Sequence, residues 1–414
     1  MRAVGVIVEY NPFHNGHYYH LQQSRKITGA DTVVAVMSGH FLQRGEPAMW
    51  DKWTRTRMAL AGGCDLVIEL PVAYATQAAE WFAYGSVSLL EATGVVDAFC
   101  FGTESGQLEP LQMAAELIVD EPPAFKTILK EQLATGTSYP SAFSTSISTY
   151  LEEQGYAGFA KFPYAMPNHT LALHYLLALK RIKGVMRPFT IARERAQYNQ
   201  DTITDGEIAS ATALRKQLLI HQSVKEIQSY IPSTTYDIID KCWAKGMKPI
   251  SWDNYIVPLM HTMLTHSAQQ LSDMNELSEG LEHRILNNLP NLTSANFEQL
   301  LSLLKTKRYT RTKLQRALLS ILLGHRKSDF SPDKLSTGVQ YIRVLGFSDK
   351  GRQLLKRMRT SSKLPVLMSA ARPPQSCNYL EMDVQASNAY MLGIPDADIV
   401  TSLYRDYRDK PIFG

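Results

Sequence analysis

Short apolar runs and segments of helical period alternate through the first half of the chain. Val4, Val6, Ile7 and Val8 read as a buried parallel strand. It ends at Glu9, because Pro12 in the following Tyr10-Asn11-Pro12 has no N–H to give to a ladder. Residues 32–37, 65–70, 97–101 and 189–192 repeat the pattern, closed respectively by Ser38-Gly39, Pro71, Gly102 and Arg193. Between them, Tyr18, Tyr19, Leu21 and Ile27 recur at helical spacing, as do Ala78, Ala79, Phe82, Val87, Leu89 and Leu90 within 74–94. This alternation predicts an α/β fold with a Rossmann-like doubly wound parallel sheet. Residues from about 107 to 165 have helical patterns and read as an insertion before the last strand. Beyond about 220 the strand signals fade, and stripes such as Ile256, Leu259, Met260 and Met263 predict a mainly α-helical C-terminal region. A chain of 414 residues is long for one core, so two domains are expected, 1–220 and 221–414.

Composition narrows the class. Apolar residues at 45% and charged residues at 20% describe a soluble globular chain. Cys64, Cys100, Cys242 and Cys377 are far apart and form no C-x-x-C pair, which argues against a disulfide framework or a cysteine metal site and for a reducing, cytoplasmic setting. The first apolar run is too short for a signal peptide, and no run approaches the roughly 20 apolar residues of a membrane span. Net charge is only +4, but residues 281–360 hold 16 Lys and Arg against 5 Asp and Glu. Segregation of that kind suggests a polyanion partner, nucleic acid first, although basic residues also decorate ordinary solvated helices.

The chemistry concentrates at turns. His14-Asn15-Gly16-His17 lies between the first strand and the first helix. There the unpaired N–H groups of a helix start, the dipole and a close-approach glycine make an anion site, and imidazole donors suit the charge that develops at an attacked phosphate. The alternative is two polar loop residues and a turn glycine. A second loop, residues 38–57, carries Gln43, Arg44, Asp51 and Lys52 toward the same edge, with Asp51 equally readable as a helix cap. Gly102 leaves the fourth strand as a close-approach point or a plain turn. Asn168 reads as the cap of a helix over 171–180. Arg193 and Arg195 follow the fifth strand. A further turn, Ile208-Ala209-Ser210-Ala211-Thr212-Ala213-Leu214-Arg215, offers hydroxyls and first-turn amides for β and γ phosphates, with Arg215 to neutralise pyrophosphate; a cap serine and a surface arginine are the plainer reading. Late in the chain, Lys305, Lys307, Arg308, Tyr309, Arg311, Lys313 and Arg316 combine charge with an aromatic ring, the composition of an RNA face. Lys350, Arg352, Lys356, Arg357 and Arg359 add to it. No carboxylate cage for a metal is evident.

The string GVIVEYNPFHNGHYYHL resembles the first signature of the HIGH nucleotidyltransferase superfamily, and within it the tRNA(Met) cytidine acetate ligases. Residues 208–215 resemble that superfamily's second signature. The resemblance spans nearly the whole chain. It implies an ATP-binding catalytic domain over 1–220 and a tRNA-binding domain over 221–414. The implied catalytic residues are His14, His17 and Lys52. ATP-binding roles carry over to Ile7, Val8, Glu9, Tyr10, Asn11, Pro12, Phe13, Asn15, Gly16, His20, Gly102, Asn168, Arg193, Ser210, Thr212 and Arg215. It further implies acetate as the acid, elongator tRNA(Met) as the acceptor, N(4)-acetylcytidine as the product and Mg2+ with the ATP, with no obligate protein partner. His40 and His169 stand where the family pattern has asparagine. From the residues alone, two other classes fit: a stand-alone adenylyltransferase acting on a small phosphate ester, and a non-catalytic RNA-binding protein.

Overall fold

The computed structural model describes residues 1–193, 209–306, 309–395 and 398–414. Five strands form the expected parallel sheet: β1 (Ala3–Val8), β2 (Thr32–Ser38), β3 (Leu66–Leu70), β4 (Ala98–Thr103) and β5 (Arg187–Ala192), in the order β5-β4-β1-β2-β3. The chain winds outward from β1 through β2 and β3, then crosses to β4 and β5 on the other side of β1. The order reverses between β1 and β4, and the carboxyl ends of the strands there open a ligand crevice.

Both faces of the sheet are covered, which is why its strands are continuously apolar. On one face Val33, Ala35 and Met37 of β2 pack with Leu21 of α1 (Asn15–Thr28) and Met58 of α2 (Lys52–Ala61). On the other, Val34 and Val36 join Leu89 and Leu90 of α4 (Ala79–Ala92) and Leu173 and Leu177 of the helix Pro167–Arg181. The helix expected over 74–94 is split. A single turn, α3 (Val72–Ala75), ends where Thr76 turns its hydroxyl back onto the Val72 carbonyl, 2.9 Å away, and α4 restarts beyond it. β1 ends at Val8, one residue short of the expected Glu9.

The region after 220 is mainly helical, as expected, yet it also completes the sheet. β6 (Ile342–Phe347) pairs antiparallel with β3, and β7 (Val366–Leu367) and β8 (Ile412–Phe413) pair with β6, giving eight strands. Sequence patterning missed these because β7 and β8 have only two residues each and β6 is interrupted by Arg343. Leu335, Ile342 and Tyr390 share one core with Val34 and Leu90, across the expected division at residue 220.

Candidate active site

The start of α1 is built from its own histidines. His14 is the N-cap and its Nδ1 accepts from the Gly16 amide at 3.0 Å, while His17 Nδ1 accepts from the His14 amide at 3.3 Å, a reciprocal capping box. The two rings stack with centroids 3.7 Å apart. Burial pushes the His14 imidazole down to about 3, helped by the charges of Arg193 and Arg215. Burial also holds His17 well below its ordinary value, with His14 adding to the effect, and brings His20 to about 4. Both rings of the capping box are therefore neutral at neutral pH. With each Nδ1 lone pair occupied by an amide, the ring proton sits on Nε2, which presets His14 as an Nε2–H donor, while the His17 ring also bonds the Pro12 carbonyl.

A second helix start lies beside the first. Ser210 caps the helix Ala211–His221, its Oγ accepting from the Ala213 amide at 3.1 Å. Arg215, one turn on, donates to the Asn11 carbonyl at 3.2 Å and to the Thr212 hydroxyl at 3.3 Å, and pairs with Glu46 at 3.7 Å. The two starts line one cavity of about 290 Å³, at the crevice that the strand order defines. Its wall holds Ile7, Val8, Glu9, Tyr10 and Asn11 from the end of β1, and His14, Gly16, His17 and His20 from α1. Gly102, Asn168, Arg193, Ser210, Thr212 and Arg215 of the expected set also line it. Arg195 and Ile208 lie outside the described residues.

The role of Asn168 differs from the cap expected of it. The helix starts one residue earlier, at Pro167, and its open amides are taken by Glu104 from the loop after β4: Oε1 accepts from the Asn168 amide at 2.9 Å and Oε2 from the His169 amide at 3.0 Å. Glu104 also takes the Asn168 side-chain N–H, at 2.8 Å, which turns Asn168 Oδ1 toward Arg193 Nη1 at 2.6 Å. Asn168 thus places a guanidinium on the cavity wall. His169 accepts from the Ser105 amide at 3.1 Å and donates to the Pro163 carbonyl at 2.9 Å, and it does not line the cavity. His40 is buried, stacked on Tyr390 and within 3.2 Å of the Ser387 hydroxyl.

Four expected residues stand outside the wall. Phe13 is fully buried in the core, Pro12 bonds the His17 ring through its carbonyl, and Asn15 donates to the Ser229 carbonyl at 2.9 Å. Lys52 corrects the catalytic expectation: its Nζ is fully buried between Glu69 and Asp406, 2.7 Å from each, tying α2 to β3 and to the C-terminal segment. A lysine held by two carboxylates in the interior has no path to a substrate. Asp51 is a cap, accepting from the Thr54 amide at 2.8 Å.

The wall also contains residues with no sequence signal, because they come from packing: Leu42, Phe82 and Tyr175 form an apolar side, and Glu46 joins Arg215. Asn11 stands out among the polar groups. Its Oδ1 accepts from the Met49 amide at 2.8 Å, which fixes the carboxamide, and its buried Nδ2 has no acceptor among the described residues.

The basic segment is partly dispersed. Lys307 and Arg308 lie outside the described residues. Lys305 is exposed at the end of the helix Phe297–Leu304. Tyr309 is buried, its hydroxyl donating to the Glu279 carbonyl at 2.8 Å, so it is not a stacking platform. Arg311 pairs with Glu298, Arg316 with Glu276 at 2.8 Å, and Lys313 donates to Ser278 at 3.2 Å. The helix Arg311–Leu323 nevertheless abuts the cavity loop. Gly45, at φ 75°, lies so close to it that a Cβ would meet the Arg316 amide at 2.5 Å, and Glu46 accepts from Gln315 at 3.1 Å. The later basic run is elsewhere: Lys350 reaches the Asp31 carbonyl and Arg357 the Met1 carbonyl, at the amino ends of β2 and β1.

A doubly wound sheet with a histidine-capped helix start and a second capped start on one cavity defines a nucleotidyltransferase. The model of the HIGH Nucleotidyl Transferase family matches residues 1–402. A tRNA(Met) cytidine acetate ligase of Acetivibrio thermocellus is 39% identical over 402 residues, 95% of each chain, and one of Lysinibacillus sphaericus is 39% identical over 415 residues, covering both chains fully. Among solved structures, Thermotoga maritima TmcAL in its apo form superposes with a TM-score of 0.92 at 33% identity, covering 100% of this chain and 99% of that one; the same protein bound with alpha-thio ATP gives 0.90. The chain belongs to the tRNA(Met) cytidine acetate ligase family of HIGH nucleotidyltransferases.

Proposed function

We propose that this protein is an ATP-dependent ligase that activates acetate as acetyl-adenylate and passes the acetyl group to the wobble cytidine of elongator tRNA(Met), forming N(4)-acetylcytidine. The observation that carries the reading is Arg215 bridging two capped helix starts across one cavity, an arrangement suited to a triphosphate held at both ends. An acetate oxygen attacks the α-phosphorus, the bond to the β-phosphate oxygen breaks, and pyrophosphate leaves. His14 and His17 donate from Nε2 to the α-phosphate oxygens as charge builds there, and their neutrality keeps them donors without a titration step. Ser210, Thr212 and the first-turn amides of their helix receive the β and γ phosphates, and Arg215 and Arg193 neutralise the departing pyrophosphate. Gly102, at the end of β4, leaves room for the nucleoside. Asn11 Nδ2 supplies a fixed donor for a substrate oxygen.

Mg2+ accompanies ATP as a counterion in this reading; among the described residues no group of three or more His, Cys, Asp or Glu forms a metal cage. The tRNA lies against the helical half, where the loop carrying Glu46 joins the cavity to the helix Arg311–Leu323, and Lys305 contacts its backbone. No described helix is long and apolar enough to cross a membrane. Acetate-dependent exchange of labelled pyrophosphate into ATP tests the first half-reaction. Exchange that ignores acetate and requires a phosphate ester would replace the ligase with an adenylyltransferase.

A further inference from the structure

Transfer of an acyl group to an exocyclic amine releases a proton that must go to a base, and the cavity offers few. His14 and His17 are excluded, since each Nδ1 lone pair is taken by an amide and each Nε2 carries hydrogen. No lysine among the described residues lines the wall, and Tyr10 is a phenol whose ionisation burial makes harder. His20 has a buried Nε2 without a partner among the described residues, but a proton there would create a second cation near Arg193. Two carboxylates remain among the described lining residues, Glu9 and Glu46. Glu46 is held on both oxygens, Oε1 by Gln315 at 3.1 Å and Oε2 by Arg215 at 3.7 Å. On Glu9, Oε1 accepts from the Gln43 amide at 2.8 Å and the main-chain carbonyl accepts from Arg55 at 2.7 Å, while the charges of Arg215 and Arg44 act on the carboxylate without a hydrogen bond to it among the described residues.

We propose that Glu9 is the general base of acyl transfer, taking the proton of the attacking amine on Oε2. This deepens the reading above and rests on it. Position supports it: Gly102, Asn168 and Arg193 lie on the β4 and β5 side of β1, whereas Glu9 is bonded to Gln43 from the loop after β2, the side left for the acceptor. In the step, the amine nitrogen attacks the carbonyl carbon of the acyl-adenylate and a C–N bond forms. The N–H proton passes to Glu9, the carbonyl re-forms as the bond to the phosphate oxygen breaks, and AMP leaves with that electron pair. Burial raises the Glu9 carboxyl above its ordinary value and the Glu46 charge adds to this, while the Gln43 amide and the charges of Arg215 and Arg44 restrain it; Arg55 also faces it. A carboxylate base strengthened by burial is better matched to the task than an ordinary one.

The test compares the two half-reactions in Glu9→Gln, which preserves an acceptor for the Gln43 amide. Acetate-dependent pyrophosphate exchange is expected to fall by less than about 10-fold, while single-turnover transfer from preformed acetyl-adenylate to tRNA falls by about 100-fold or more and loses the acid limb of its pH profile. Glu9→Asp should keep that limb at a reduced rate. Transfer that is unchanged, or that keeps its acid limb in Glu9→Gln, overturns the proposal, as does an equal loss of exchange and transfer. Wild-type protein with no acetate-dependent exchange overturns instead the ligase reading on which it rests.

Discussion

Arg215 donates to the main-chain carbonyl of Asn11 across 3.2 Å, so a side chain from the second helix start closes on the strand end that leads to the first. The same guanidinium holds Thr212 and faces Glu46, which fixes it at the mouth of both helix dipoles. In the proposed reaction, these converging amides and this rigid cation form the cradle for the triphosphate.

Arg215→Ala should therefore lower kcat/KM for acetate-dependent exchange by about 10²–10³-fold, the usual loss for a charge-stabilising donor. Arg215→Lys should recover only part of it, because a lysine cannot span Asn11 and Thr212 together. Steady-state exchange at varied ATP checks both; wild-type values for Arg215→Ala would remove this residue from the cradle.

His14 combines two duties that substitution can separate. His14→Ala loses the cap and the Nε2 donor, costing about 1 kcal/mol of stability and roughly 10²-fold or more in adenylation. His14→Asn keeps a capping oxygen for the Gly16 amide but lacks the reach of Nε2, so it should melt close to wild type and remain inactive. Thermal unfolding beside exchange rates distinguishes the two effects.

Lys52→Ala leaves Glu69 and Asp406 as uncompensated buried charges, with Arg343 as their nearest cation. A loss of about 3–5 kcal/mol in denaturant unfolding is expected. The folded fraction at low temperature should retain exchange per active site. Full stability with abolished chemistry would restore the catalytic role that the sequence suggested for this lysine.

Burial depresses six of the described histidines, which contribute no charge to the native state: His14 to about 3, His20, His174 and His325 to about 4, and His17 and His40 well below the ordinary value. Unfolded, each takes up a proton near pH 6.5, so the unfolded chain binds more protons as pH falls. Stability should hold above that pH and decline below it, by roughly 1.4 kcal/mol per pH unit for each histidine until the folded-state values are reached. Urea midpoints between pH 7.5 and 5 measure the slope, and a flat profile would contradict neutral burial.

Local patterns were the most legible part of this molecule. The five parallel strands and the two capped helix starts announce themselves through short apolar runs, Pro12, Gly16 and Ser210, because each signal lies within a few residues of the structure it dictates. Partners supplied from afar were hidden. Asn168 looked like a cap because the carboxylate that performs the capping, Glu104, belongs to another loop. Lys52 looked available because Asp406 lies more than 350 residues later. Tyr309, set among cations, resembled a stacking ring until its hydroxyl met the Glu279 carbonyl inside the fold. The sheet's last three strands escaped notice because β7 and β8 are too short to show a period.

The most direct trial of the account is to incubate the full chain with ATP, labelled acetate and total tRNA, then digest the RNA and resolve its nucleosides. Label confined to N(4)-acetylcytidine from elongator tRNA(Met), and absent when ATP is withheld, is the expected result. Label on another nucleoside, or RNA that binds without acquiring any, would contradict it.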